Sequence, residues 1–403
     1  MSAALTDTAL NARELGLLAA GVALLSGLLL VPAMRWVALR TGTVDAPDKP
    51  GGRKFQKAPV PLLGGVAVLL AAGVGLVAVG WDNPSARTTF PQHGYVLVAA
   101  GLTFLIGLVD DVFKDRIGPL PKFIGQFIAV GVLFGENWMQ VFQGEATGGA
   151  LFHVLALTLW FLTVVNAVNF VDNMNGLCSG IATISLLVGV VGVAGIEKAR
   201  WAVLAGALGG GMLAFIPYNY PKARIYLGDA GSHLAGFFLA LLSLEFTAGF
   251  LSADAKFFGL DAFIPAMLLL GLPLFDLLFS VVRRHRERRP LFHGDARHLS
   301  HRLVGAGLDP ASAVMLLWGV HLIVAAAGIV ALEYAAPGRW SIFAVILAFL
   351  TILAAILVRV ERSRRLAGSS LPNGTNGSST SESGLVAKRS GDRDPTRFTG
   401  SDL

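Results

Sequence analysis

The sequence predicts an all-α polytopic membrane protein with about eleven transmembrane helices and an active site on the cytoplasmic face. Three observations predict it. Of the 403 residues, 54 % are hydrophobic and only 14 % are charged, where soluble domains carry about 25 % charged residues. Mean hydropathy is +0.65, and the apolar residues fall in runs of about 17–25, the length needed to cross hydrocarbon. Lysine and arginine collect in alternate loops between those runs.

In chain order the expected spans are 14–36, 62–80, 94–109, 119–135, 150–168, 180–196, 200–216, 231–250, 260–282, 311–333 and 341–359. The first run lacks a small-residue cleavage site and more runs follow, so it reads as a membrane helix rather than a removable signal. One set of loops holds Arg35, Arg40, Lys49, Arg53, Lys54, Lys57, Lys114, Lys122, Lys222, Arg224 and the arginines from 283 to 302, whereas the alternate set is nearly bare of basic residues. Positive loops stay cytoplasmic. The N-terminus is therefore expected outside and the C-terminus in the cytoplasm, in a bacterial inner membrane. The formal charge of +6 then belongs to the membrane surface, and no nucleic-acid partner is expected. A single cysteine, Cys178, excludes an intramolecular disulfide. Residues 1–366 form the expected membrane domain, and 367–403, rich in Ser, Gly, Thr and Asn, an expected disordered cytoplasmic tail.

The topology places five polar stretches on one side. Asp45 to Gly65 is basic and broken by Pro and Gly; Arg53, Lys54 and Lys57 would suit a phosphate-rich ligand or lipid headgroups equally. Asp110-Asp111 ends the third run, with Lys114 and Lys122 beyond; a pair of acids at a membrane edge is costly unless used, although a solvated loop end would also hold them. Asn166 to Gly180 contains Asn166, Asn169 and Asn173 at a helical spacing, with Asp172 beside them, an oxygen-rich set suited to a hard cation or to helix packing. Tyr218 to His233 carries Asn219, Tyr226 and a Gly-flanked Asp229 just ahead of an apolar run, where helix-start N–H groups would face an anion. Arg283 to Arg302 ends in Arg297, His298, His301 and Arg302. Together these supply acids, amides, aromatics and cations on one face, as a site for phosphoryl transfer requires.

The order of these stretches resembles the polyprenyl-phosphate N-acetylhexosamine-1-phosphate transferase family. The paired acids Asp110-Asp111, the Asn-rich loop Asn166 to Gly176, Gly228-Asp229-Ala230-Gly231-Ser232, Pro273-Leu-Phe-Asp276 and His298-Leu-Ser-His301 carry the likeness. It implies transfer of a sugar-1-phosphate, GlcNAc-1-phosphate foremost, from a UDP-N-acetylhexosamine to a polyprenyl phosphate lipid in the bilayer, with release of UMP. Eleven helices agree with the resemblance, and a second copy of the chain, as a homodimer, is a candidate partner. By the same resemblance Asp229 and Asn169 would hold Mg²⁺, with Mn²⁺ as substitute. Asp110 or Asp111 would deprotonate or orient the lipid phosphate, and Asp172 would support the metal region. Tyr226, Asn175 and Asn219 would meet the base, and Arg297, His298 and His301 the diphosphate or sugar; Lys57, Lys122, Asn166 and Arg302 complete the expected site. Two departures stand out: Asp172-Asn-Met-Asn175 lacks a second acid, and Ser300 replaces a histidine. The peptidoglycan branch, a phospho-MurNAc-pentapeptide transferase, is the nearer alternative. An ion-coupled transporter using Asp110, Asp172 and Asp276 is the alternative from another class, and would place acids at midplane rather than at one face.

Overall fold

A computed structural model describes residues 11–46, 58–80, 94–113, 118–143, 148–192, 199–247, 260–288 and 298–369. Lys57, Lys114, Arg297 and the tail beyond Ser369 lie outside the described residues, and so do the expectations placed on them.

Apolar runs fold as helices because hydrocarbon leaves backbone groups no partner but one another. The helices are α1 (Ala12–Thr41), α2 (Gly64–Gly80), α3 (Gly94–Val112), α4 (Pro119–Leu133), the short α5 (Gly135–Phe142), α6 (Gly148–Phe170), α7 (Leu177–Gly192), α8 (Ala199–Asn219) and α9 (Gly228–Glu245). They continue as α10 (Ile264–Leu269), α11 (Gly271–Arg286), α12 (Leu299–Gly305), α13 (Pro310–Leu332) and α14 (Ala336–Ser369). Each expected span overlaps one of them or a consecutive pair. Among the described residues six helices are long and apolar enough to cross a membrane: α1, α3, α6 from Leu151, α8, α13 and α14 up to Glu361. The apolar helices α2, α4 and α7 are shorter than that. The chain is thus a multi-pass helical membrane protein.

Three sequence expectations need correction. The run 260–282 is not one straight helix, because it bends by 99° between Leu269 and Gly271. Helix α3 does not stop at Val109 but continues to Val112, so Asp110 and Asp111 occupy its last turn. Helix α6 ends at Phe170, so Asn173 shares no helical face with Asn166 and Asn169; its amide instead donates to the Phe170 carbonyl at 2.7 Å.

Local sequence explains the ends. Asn11 caps α1 reciprocally with Glu14, and Gly42 closes it in the left-handed conformation at φ 72°. Asp309 accepts from the Ser312 amide ahead of Pro310, which starts α13. The core forms where α8 lies against α1 and α2. A Cβ on Gly206 would overlap the Gly16 carbonyl oxygen, and one on Gly210 would overlap that of Ala20. Small residues at this four-residue spacing let the two backbones touch, which is how helices pack in lipid.

A two-stranded ribbon, β1 (Val44–Asp45) with antiparallel β2 (Val60–Pro61), joins the first polar stretch to the fourth. The Tyr226 amide donates to the Pro61 carbonyl at 2.8 Å, while Gly64 and Gly65 donate to the carbonyls of Tyr226 and Leu227 at 3.1 and 2.8 Å. Loops far apart in sequence are thereby stapled beside the start of α9.

Candidate functional site

The site forms where the end of α3, the start of α4, the end of α6 and the start of α9 meet. Gly107 lets α3 approach, since a Cβ there would collide with the Asp229 carbonyl carbon and oxygen. Gly228, at φ 73°, turns the chain into α9, and a Cβ on it would strike the Asp111 carboxylate. Only glycine meets both demands.

The two adjacent acids do different things. Asp111 is buried, and its oxygens accept from the amides of Asp229 and Ala230 at 2.8 and 3.0 Å. It caps the start of α9, taking the place an anion would take at those N–H groups. Asp110 faces Lys122, 2.6 Å from its Nζ, and the same ammonium lies 2.9 Å from Asp229. Two carboxylates from distant helices thus converge on one cation. Asn169 donates through Nδ2 to Asp229 at 3.1 Å and to the Ser232 hydroxyl at 2.9 Å. Its Oδ1 accepts from no described residue.

Asp172 lies just past α6. Burial first, and then the charge of Asp229, push its carboxyl up to about 7. Tyr226 is half-buried, with its backbone pinned by the ribbon; burial, then Asp45 and Asp172, raise its phenol.

This geometry fits a hard divalent cation. Among the described residues no group of three or more His, Cys, Asp or Glu side chains could hold one alone. Asp110 and Asp229 already share an ammonium, and a Mg²⁺ site commonly rests on one or two carboxylates completed by water and substrate phosphates; Asn169 reaches this pair through its Nδ2.

Other expected residues take different places. Asn166 donates to Gln126 at 2.7 Å, and Gln126 contacts the His233 ring at 3.3 Å, one helical turn below the Lys122–Asp229 pair on both helices. Asn219 is buried, accepts from the Gly176 amide and donates to the Ile225 carbonyl at 2.9 Å. Those buried backbone groups need partners, which turns the side chain inward. Asn175 donates to the Pro221 carbonyl at 3.2 Å, tying the same two loops together. Arg302 is likewise engaged elsewhere, 2.7 Å from Glu361 and over the Phe279 ring. His298 is buried with Nδ1 2.6 Å from Asp276, and Ser300 donates to Asn173 at 2.6 Å. His301, in the first turn of α12, is partly buried.

Gln126 and His233 escape the sequence reading. Their signal is a helical one: Gln126 lies four residues after Lys122, and His233 four after Asp229, each on the same face of its helix.

Fold and site define a multi-pass membrane protein that gathers acids, amides and a lysine at one end of its helices, suited to phosphate chemistry. The sequence profile of glycosyl transferase family 4 matches residues 93–247, a stretch that contains Asp110, Asp111, Lys122, Asn169, Asp172 and Asp229. The chain is 32 % identical over 332 residues to the decaprenyl-phosphate N-acetylglucosaminephosphotransferase of Mycobacterium tuberculosis, covering 76 % of this chain and 80 % of that one. It is 26 % identical to a probable undecaprenyl-phosphate N-acetylglucosaminyl 1-phosphate transferase of Bacillus subtilis, over 77 % of this chain and 83 % of the relative. It is also 28 % identical to a phospho-N-acetylmuramoyl-pentapeptide-transferase of Desulforudis audaxviator, over 79 % and 98 %. The chain belongs to glycosyl transferase family 4, the polyprenyl-phosphate sugar-1-phosphate transferases.

Proposed function

We propose that this chain transfers N-acetylglucosamine-1-phosphate from UDP-GlcNAc to a polyprenyl phosphate, releasing UMP and starting a cell-envelope polysaccharide. One observation carries the reading: Asp110 and Asp229, from helices far apart in the chain, both bind the Lys122 ammonium where those helices meet. That is a site built to hold positive charge against a diphosphate. The amino-sugar choice draws on the named activities of the mycobacterial and Bacillus relatives.

An oxygen of the lipid phosphate attacks the β-phosphorus of the nucleotide sugar. The bond from that phosphorus to the bridging oxygen breaks, and the electron pair leaves with UMP. A phosphate's second pKa is near 6, so Asp110 has little proton to remove; it orients the nucleophile and keeps it ionised. Lys122 balances the carboxylates and the incoming phosphates. Asp229, Asn169 and Asp110 would hold Mg²⁺, or Mn²⁺ in its place, which when bound neutralises charge on the diphosphate and the departing UMP. Asp111 holds the α9 start that carries Asp229. Tyr226 would stack on the base, and Asn175 would help to hold it.

In the membrane the eleven apolar segments cross with the N-terminus outside and the C-terminus in the cytoplasm of a bacterial inner membrane, and two copies pair as a homodimer. The test is UMP release by purified protein given undecaprenyl phosphate and a panel of UDP-sugars. UDP-GlcNAc is expected to be the preferred donor. EDTA abolishes turnover and Mg²⁺ or Mn²⁺ restores it, and Asp229→Asn removes nearly all activity. Full turnover without divalent ions would overturn the metal assignment; UMP release with another UDP-sugar but not with UDP-GlcNAc would overturn the donor.

A further inference from the structure

Away from the Lys122 cluster, a second pair of ionisable side chains meets at short range. Asp276, on α11, is 3 % exposed and His298, at the start of α12, is 6 % exposed. Asp276 Oδ2 lies 2.6 Å from His298 Nδ1, and Asp276 Oδ1 accepts the Leu299 amide at 2.9 Å. Ser280 stands 3.4 Å from the same ring nitrogen. The ring packs against Phe170, with centroids 6.1 Å apart, and Phe170 is the residue after Asn169.

The chemistry of the pair is directional. A carboxylate that accepts from a backbone amide through one oxygen and faces Nδ1 through the other holds the imidazole proton on Nδ1. That leaves Nε2 as the ring atom no described residue engages. The same carboxylate fixes the ring through α12, because the Leu299 amide it binds is one of the free N–H groups at that helix start. Asn173 accepting from Ser300 at 2.6 Å locks the α12 start to the turn after α6. His298 is therefore held beside the end of α6 with one nitrogen occupied and the other presented.

We infer that Asp276 is a positioning residue: by holding the His298 proton on Nδ1 it presents Nε2 to the phosphates of the donor. This rests on the transferase reading above, and it assigns Asp276 a task in that same site. A neutral ring offers Nε2 as an acceptor, and a protonated ring offers Nε2–H to a phosphate oxygen with the carboxylate behind it as counter-charge. In Asp276→Asn the one carboxamide oxygen cannot serve both the Leu299 amide and Nδ1–H, and the new NH₂ favours the opposite tautomer.

Two measurements test it. In ¹⁵N spectra of histidine-labelled wild-type protein at alkaline pH, the signal lost in His298→Gln should be that of a ring protonated at Nδ1 and bare at Nε2. A ring protonated at Nε2 overturns the inference, whether or not any transfer is detected. For turnover, Asp276→Asn should lower kcat at least roughly tenfold with KM for the UDP-sugar unchanged. It should also cost no more than about twofold further in a His298→Gln background. A full additive loss in the double variant, or an unchanged kcat in Asp276→Asn, overturns it. If Asp276→Asn cannot be recovered folded, the wild-type spectrum decides. Wild-type protein with the Nδ1 tautomer but no UMP release would defeat the transferase reading alone.

Discussion

At the scale of the residue, neighbours in sequence are not neighbours in function. Asp110 and Asp111 differ by about 100° around α3, and that rotation sends one to the Lys122 ammonium and the other to the amides of Asp229 and Ala230. Asn at position 111 keeps one acceptor oxygen for the two amides that Asp111 serves, so one of them loses its partner, at a cost of about 1–3 kcal/mol. Asp111→Asn should therefore lower the melting temperature in detergent, whereas Asp110→Asn should leave it nearly unchanged and lose turnover instead. Equal melting shifts in the two variants would refute this division. Asp172 makes a second case. Its folded-state pKa of about 7 stands above the ordinary 3.8. A carboxyl so raised binds its proton more tightly in the fold than in the unfolded chain, so ionisation works against the fold. In metal-free protein, stability should then decline as pH rises from about 4 to about 7. Melting curves across that range should flatten in Asp172→Asn; an identical slope in both proteins would contradict the assignment.

At the scale of the element, the site depends on how closely α3 and α9 approach. Gly107→Ala would drive a methyl into the Asp229 carbonyl, an overlap that close-packed interiors do not tolerate. The backbone must yield, moving the end of α3 away from the start of α9 and Asp110 away from Asp229. We expect the variant to insert in the membrane and lose at least roughly tenfold in kcat, since about 1 Å of misplacement can cost 10²-fold. Wild-type turnover in Gly107→Ala would show that the approach is not required. This dependence also marks what the sequence could and could not reveal. The apolar runs were legible because hydrophobic length is a local property, and Asp229, Asn169 and Asp110 stood out as polar groups at the ends of such runs. The bend after Leu269 was hidden in one long, mostly apolar run: Gly271 and Pro273 can break a helix, but hydropathy counts them as part of one span. Nor were the inward turn of Asn219 or the Glu361 partner of Arg302 legible, since each is decided by a segment distant in sequence.

At the scale of the whole molecule, the proposed reaction requires all the acids on one surface of the bilayer, and the chain permits a clean test. Its single cysteine, Cys178, is buried, so Cys178→Ala supplies a background without thiols. Lys222 is exposed in the loop between α8 and α9 that leads to Asp229, and Glu333 is exposed at the opposite end of α13 from its capping Asp309. Basic residues crowd the first loop and its companions, while the turn after α13 carries Glu333 and few cations; charge of that kind sets orientation during insertion. Lys222→Cys should react with a membrane-impermeant maleimide only in inverted vesicles, and Glu333→Cys only in right-side-out ones. Ala58 is exposed just ahead of β2, the strand stapled to Tyr226. Ala58→Cys is therefore the internal check and should follow Lys222→Cys. Lys222→Cys labelled from outside would put Asp229 where no cytoplasmic nucleotide could reach it.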